Sequence, residues 1–154
     1  MIFRRSYTFK SSQSVEKLKT DFLGKHLSIH NIDFEIFDKD GAIKVIPHAE
    51  NDETVHTLPI TELKFSQQGN GTIIKMRSKP RRIDIGGIQL ILVFSFFLFL
   101  ASIIVFLTLK TSYGNVAYIL FGLSAVIFIA VWLRMEQGYF DYIRKIKSWV
   151  KKHI

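Results

Sequence analysis

The chain has 154 residues, 48% of them apolar and 22% charged, and a formal net charge of +8 at pH 7. It has no cysteine, which excludes disulfides, thiolate nucleophiles and cysteine-ligated zinc or iron–sulfur centres. Residues 1–79 carry 12 Lys or Arg and 10 Asp or Glu, whereas residues 80–154 carry 9 and 3, so the excess positive charge belongs to the second half.

The first predicted element is a strand over residues 2–9. Phe3, Tyr7 and Phe9 lie on one face of the alternating pattern, and Arg5 is its only interruption. The pattern predicts a half-buried strand.

An amphipathic helix is predicted next, over residues 13–25. Val15, Leu18 and Phe22 recur at helical spacing. Ser11 or Ser12 can cap the start of this helix, and Gly24 can end it.

Four further strands complete the predicted domain. They are expected over residues 32–36, 43–45, 55–65 and 72–77. Gly41 suits the turn of the first hairpin, and Pro59 indicates that the third of these strands starts late or lies at an edge. The order β-α-β-β-β-β predicts an α+β fold over residues 1–79, an antiparallel sheet with one packed helix. A basic linker over residues 80–87 follows.

Two uncharged runs follow the linker, residues 88–109 and 116–133, with an outer loop at residues 110–115. As helices they would be about 33 Å and about 27 Å long, against about 30 Å of hydrocarbon. The sequence therefore predicts a two-helix transmembrane hairpin. Two buried helices of a soluble bundle are the alternative, although such helices are seldom uncharged on every face.

Basic residues close to the spans predict that both termini are cytoplasmic. Lys79, Arg81 and Arg82 precede the first span and Arg134 closes the second, while the loop contains only Lys110. Aromatic side chains expected to anchor the interfaces are Tyr113, Tyr118, Trp132, Tyr139 and Trp149. The lack of a eukaryotic targeting signal favours a bacterial inner membrane.

Residues 138–154 predict a basic amphipathic helix, separated from the second span by a break at Gly138. Such a helix suits the inner headgroup layer, where anionic lipid headgroups attract basic side chains. The expected lipid contacts are Arg144, Lys145, Lys147, Lys151 and Lys152. The same apolar stripe can instead dock on the chain's own soluble domain or on a partner. Nucleic acid is not an expected partner, because the charge lies beside a membrane.

The spans contain no Asp, Glu, Lys, Arg or His, which argues against an ion or proton path. Gly122 and Ala125 offer small surfaces and are expected to support close helix packing.

Catalytic, cofactor and metal sites are not predicted. The sequence has no nucleophile elbow, phosphate-binding loop or dinucleotide fingerprint, and its histidines are expected to be solvated or structural. Asp38, Asp40 and Gly41 are read as a hairpin turn rather than a calcium loop. A small-molecule binder or minor enzyme would need a pocket between the helix and the sheet.

These features predict a non-catalytic integral membrane accessory or scaffolding subunit, which joins a larger membrane protein complex through its hairpin and presents a cytoplasmic interaction domain. The alternative is a membrane-surface module that binds anionic lipid or shapes the bilayer through its domain and basic C-terminal helix.

Overall fold

The computed structural model describes residues 3–39, 41–48, 57–69, 71–108 and 114–154, with the side chains of residues 82–84 left out. The elements are β1 Arg5–Ser11, α1 Val15–Phe22, β2 His26–Ile29, β3 Ile32–Lys39, β4 Ala42–His48, β5 Pro59–Gln68, β6 Gly71–Pro80, α2 Arg82–Thr108, α3 Gly114–Met135, a π-helical turn Glu136–Phe140, and α4 Asp141–Lys152. They form two compact units: the sheet unit, Met1–Arg81 with Gly138–Ile154, and the hairpin unit, Arg82–Gln137.

The sheet unit confirms the predicted α+β class. Six antiparallel strands form one curled sheet in the order β1-β6-β5-β4-β3-β2. The prediction missed β2, because it extended α1 to residue 25, whereas this helix ends at Phe22. A two-residue turn joins β2 to β3, with positive φ at His30 (49°) and Asn31 (66°). Since neither residue is glycine, this turn gives only a weak sequence signal.

Two further turns of the sheet each contain a glycine with positive φ, as their sequences indicate. Gly41 (φ 74°) and Gly69 (φ 59°) lie in the turns that join β3 to β4 and β5 to β6. Pro59 is the first residue of β5, where its missing N–H is tolerated, so the late start of this strand is confirmed. Gly71 permits a close approach of β1, because a Cβ there would lie 2.7 Å from the carbonyl oxygen of Ser11.

Helix α1 begins later than predicted. Its N-cap is Ser14 rather than Ser11 or Ser12, and the Ser14 hydroxyl accepts a hydrogen bond from the Lys17 amide at 3.3 Å. Ser11 instead ends β1, where its hydroxyl accepts a hydrogen bond from the Gln13 amide at 3.2 Å.

The core of the sheet unit lies on one face of the sheet. Leu18 and Phe22 of α1 pack there and are fully buried. Facing strand residues that are almost completely buried are Phe34, Ile36, Ile43, Val45, Leu63, Ile74 and Met76. The space between the helix and the sheet, where a small-molecule pocket would have to lie, is filled by the buried side chains of Leu18, Phe22, Phe34 and Ile36, and Val15 beside them is half-buried.

In the hairpin unit, α2 and α3 are long and apolar enough to span a membrane. They pack antiparallel, since Ser95 lies beside Ser124 and Phe106 lies beside Tyr118. The predicted linker over residues 80–87 is wrong, because β6 extends to Pro80 and α2 begins at Arg82. The strand therefore passes to the helix through Arg81 alone. Most of the predicted outer loop, residues 110–113, lies outside the described residues.

The predicted helix break at Gly138 is also wrong. The helical conformation passes from α3 to α4 through the π-helical turn Glu136–Phe140, which contains Gly138. A π-helical turn widens the hydrogen-bonded ring by one residue and so changes the face that the following side chains present.

Candidate functional site: a docked C-terminal helix and a serine-lined hairpin

The apolar face of α4 is covered by the chain's own sheet. Its side chains Tyr142, Ile143, Ile146 and Val150 are buried. The Tyr142 ring lies 5.8 Å from that of Phe34 in β3, and the Trp149 ring lies 5.2 Å from that of Phe22 in α1, edge to face. The expected insertion of this face into a headgroup layer is therefore corrected: the structure favours the alternative of docking on the soluble domain.

Tyr139 was expected to anchor a membrane interface and is instead fully buried in the sheet unit. Its hydroxyl donates a hydrogen bond to the Phe3 carbonyl oxygen at 2.6 Å, and burial raises the pKa of this phenol. Phe140, which follows Tyr139, explains why Arg5 interrupts the apolar face of the first strand. The Arg5 guanidinium lies 4.6 Å from the centre of the Phe140 ring, a cation–π contact. Arg5 thus has a favourable place on the inward face.

A polar cluster joins α4 to the turn between β2 and β3. The imidazole Nε2 of His30 lies 2.8 Å from a carboxylate oxygen of Asp141, and the Lys145 ammonium lies 3.5 Å from the same oxygen. The hydrogen bond from His30 and the charge of Lys145 hold the pKa of Asp141 below its ordinary value, against the opposing effect of partial burial. Asp141 is therefore a polar tie between two distant parts of the sequence.

We expect the Asp141→Asn variant to unfold more easily at pH 7, by about 1 kcal/mol. The lowered pKa means that the ionised carboxylate stabilises the fold above the unfolded-state pKa, about 4, and that this stabilisation is lost as the pH falls through the folded-state pKa. The difference between wild type and variant should shrink toward zero at acidic pH. Thermal unfolding of both proteins in mild detergent, at neutral and at acidic pH, measures this difference in stability. A difference that stays constant with pH would contradict this role.

The five basic residues expected to contact lipid have different surroundings. Arg144 lies 3.6 Å from a carboxylate oxygen of Asp141, and Lys145 belongs to the same cluster. The Lys147 ammonium lies 4.5 Å from the centre of the Tyr7 ring, a cation–π contact with β1. Lys151 and Lys152 are exposed at the end of α4.

Two further histidines, His26 and His48, pair with carboxylates on the sheet, whereas a ring nitrogen of His153 lies 2.8 Å from the Trp149 carbonyl oxygen. His26 lies 2.7 Å from Asp33, and His48 lies 2.9 Å from Glu35, both as nitrogen to oxygen distances. His56, Asp40 and the acidic stretch at residues 50–53 lie outside the described residues. Within the described part of the chain, no group of three histidines or carboxylates is placed to hold a metal ion.

The two helices of the hairpin unit pack against each other along a seam of mainly small side chains. Along each helix these side chains recur every seven residues. The buried positions of the seam are Ile88, Ser95 and Ser102 on α2 and Ala117 and Ser124 on α3, and Met135 is also buried, at the end of α3. At the centre of the seam two serines bond reciprocally: the Ser95 hydroxyl donates to the Ser124 carbonyl oxygen at 3.0 Å, and the Ser124 hydroxyl donates to the Ser95 carbonyl oxygen at 2.9 Å. Small side chains let the two backbones approach closely enough for these bonds.

The predicted packing residues of α3 do not form this seam. Gly122 is exposed and a Cβ built there meets no described atom within 4 Å, while Ala125 is only half-buried. The seam instead uses Ser124, two positions from Gly122, because helix faces are set by the position of each residue and not by small size alone. Of the expected aromatic anchors, Tyr118 (67%) and Trp132 (46%) are exposed, and Tyr113 lies outside the described residues.

Replacing both Ser95 and Ser124 by Ala is expected to destabilise the helix pair by about 1 kcal/mol, because two interhelical hydrogen bonds are lost. SDS titration followed by Trp132 fluorescence, in a Trp149→Phe background, measures this change. Ser102→Ala is the matched control: this buried serine lies on the same seam, and among the described residues it has no hydrogen bond across it. An equal loss in both variants would contradict the reciprocal bonds.

Spacing was the sequence signal that could have located the seam, since Ser95 and Ser102, and Ala117 and Ser124, are each seven residues apart. The tie between His30 and Asp141 has no comparable signal, because 111 residues separate them. Comparison of the chain with protein-family models, with curated proteins and with solved structures finds no match.

Proposed function

We propose that the chain is a non-catalytic accessory or scaffolding subunit of a larger membrane protein complex. The hairpin unit anchors it in the bilayer and binds the complex, and the sheet unit is presented to a cytoplasmic partner. The proposal rests chiefly on one observation: the hairpin uses small side chains for its own seam and leaves its large apolar side chains outside, among them Phe94 (56% exposed) and Phe97 (62% exposed).

The uncharged spans support an anchoring role. Residues 88–109 and 116–133 contain no Asp, Glu, Lys, Arg or His, so these two spans offer no charged group to an ion or proton path. The buried polar groups Ser95 and Ser124 bond to each other, which uses their hydroxyls in holding the two helices together.

The sheet unit supports the proposed topology. It contains residues on both sides of the hairpin, since Tyr139 bonds to Phe3 and Trp149 packs on Phe22. A unit built from both flanks requires an even number of membrane crossings. With Lys79, Arg81 and Arg134 near the ends of the two helices, the positive-inside rule favours the cytoplasmic side for this unit, in the proposed bacterial inner membrane.

Co-purification tests the proposal. Expressed at its native level and extracted in mild detergent, the chain should elute with a larger membrane assembly identified by mass spectrometry. The Phe94→Ala/Phe97→Ala variant should elute mainly without that assembly, whereas Phe96→Ala/Ile103→Ala, on the other flank of the α2 seam, should remain in it. A monodisperse wild-type monomer would contradict the proposal, and so would equal loss in both variants.

The proposed topology has a separate test. In intact cells an impermeant amine label should leave Lys10 and Lys151 unmodified and should react with both after the membrane is opened. Labelling of either residue in intact cells would contradict the cytoplasmic assignment.

The docking of α4 limits the ways in which the chain could act as a membrane-surface module, the alternative function. The apolar face of α4 packs on the sheet, so this helix retains only its charges for a bilayer. The exposed Lys151 and Lys152 support a purely electrostatic version, worth about 1 kcal/mol for each basic residue near an anionic surface.

A further inference from the structure

The sheet has a second face, which α1 and α4 do not cover, and this face contains a cleft. Five basic side chains line it: Arg4, Lys39, Lys44, Arg77 and Lys79. The cleft has a volume of about 400 Å³, within the size range of small-ligand sites. We propose that it binds the phosphate of an anionic phospholipid headgroup.

The charge of the cleft favours an anion. Among the described residues that line the cleft, five are basic and Glu62 is acidic, which gives this part of the lining a formal charge of +4. Strand pairing places Glu62 between Lys44 on β4 and Arg77 on β6. The Glu62 carboxylate also lies 3.5 Å from Lys64, outside the cleft, and basic side chains outnumber it among the described lining residues, which favours a phosphate.

The lining is also partly apolar. Phe37, Ile46 and Ile60 lie among the basic residues and are half-buried. Half-buried apolar groups beside cationic ones suit a ligand with a phosphate next to hydrocarbon, as in the glycerol and upper acyl region of a phospholipid. A free phosphate would leave these three side chains in water.

Chain connectivity supports a lipid as the source of the phosphate. Lys79 precedes α2 by three residues, and the uncharged run begins at Ile88. Three extended residues and six helical ones reach at most about 20 Å, whatever the angle between strand and helix. If the hairpin is inserted, as proposed above, the cleft is tethered near headgroups at high effective concentration. This inference therefore rests on the proposed membrane anchoring but not on the proposed complex.

The test uses the purified full chain in neutral detergent micelles, doped with phosphatidylglycerol or phosphatidylcholine, with bound lipid counted by native mass spectrometry. The wild type should retain phosphatidylglycerol in clear preference to phosphatidylcholine. The cleft variant Lys39→Gln/Arg77→Gln/Lys79→Gln should bind phosphatidylglycerol at least about tenfold more weakly.

A matched control removes three exposed charges of the sheet unit outside the cleft. Lys10→Gln/Lys25→Gln/Lys75→Gln should stay within about threefold of the wild type, because these exposed residues do not line the cleft. Equal weakening in both variants would overturn the site in favour of diffuse attraction. The thermal midpoint of each variant shows whether it is folded.

Two wild-type measurements decide the proposal without any variant. Equal retention of phosphatidylcholine and phosphatidylglycerol would overturn it, and so would inorganic phosphate displacing bound phosphatidylglycerol at equal concentration, which would identify a free phosphate as the ligand. Neither result depends on whether the hairpin co-purifies with a complex, so the two proposals can fail separately.

Discussion

Ile146→Asp is expected to release α4 from the sheet and to leave the sheet unit largely unfolded. Ile146 is completely buried at the centre of the docked face. The substitution removes apolar burial and places a carboxylate without a partner in the core, which together cost roughly 4–7 kcal/mol. Small domains have total stabilities of about 5–15 kcal/mol, so most of the margin is lost.

Limited proteolysis and thermal unfolding in mild detergent measure this effect. Cleavage within α4 should become much faster than in wild type, and the thermal midpoint should fall sharply. Ser148→Asp is the matched control, because Ser148 is exposed two positions further along the same helix, and it should change stability by at most about 1 kcal/mol. Similar protection of α4 in both variants would contradict the docking.

Phe22→Ala is expected to destabilise the sheet unit by about 3–5 kcal/mol. Phe22 joins three elements: its ring lies 6.1 Å from that of Phe65 in β5 and 5.2 Å from that of Trp149 in α4. Removing it opens a cavity at the junction of α1, the sheet and α4. Chemical unfolding in mild detergent should show a lower midpoint, and Trp149 fluorescence should shift toward that of a solvated indole.

Leu23→Ala is the control for this substitution. Leu23 is the next residue and 38% exposed, so its truncation should cost no more than about 1 kcal/mol. A loss in Leu23→Ala as large as in Phe22→Ala would show that α1 is sensitive to any truncation, and it would contradict the role assigned to the aromatic junction.

Local pattern was sufficient for most of the sheet unit. Alternation and turn glycines located β3 and the β3–β4 turn. In a sheet with one covered face, the apolar residues at every second position of a strand show which side of the strand is buried. The strand β2 was missed because only Leu27 and Ile29 mark its inward face, and its turn residues His30 and Asn31 are not glycine.

The hairpin helices were located by length and lack of charge, whereas their contacts were not. Every face of an uncharged helix is apolar, so apolarity does not distinguish the seam from the outer surface. Gly122 was chosen for its small size, and the seam proved to pass through Ser124.

The docking of α4 was the largest structural difference from expectation. A basic helix with a stripe of Tyr142, Ile146 and Trp149 has the same pattern whether it meets a bilayer or a sheet. Its partner surface, which includes Phe22 and Phe34, lies more than 100 residues earlier, and no local rule connects them. In the sequence of β1, Arg5 interrupts the inward apolar face, and this interruption is consistent with the docking because Arg5 contacts Phe140.

This arrangement sets the order in which the protein matures during translation. The ribosome completes β6 at Pro80 but makes Val150 only after both apolar helices, roughly 4–14 seconds later at ordinary elongation rates. Until then the face of the sheet that α4 covers is incomplete. If the hairpin is inserted as proposed above, a product with only one inserted helix would hold α4 on the opposite side of the bilayer from the sheet, and Phe34 and Tyr142 would then be exposed to quality-control proteases.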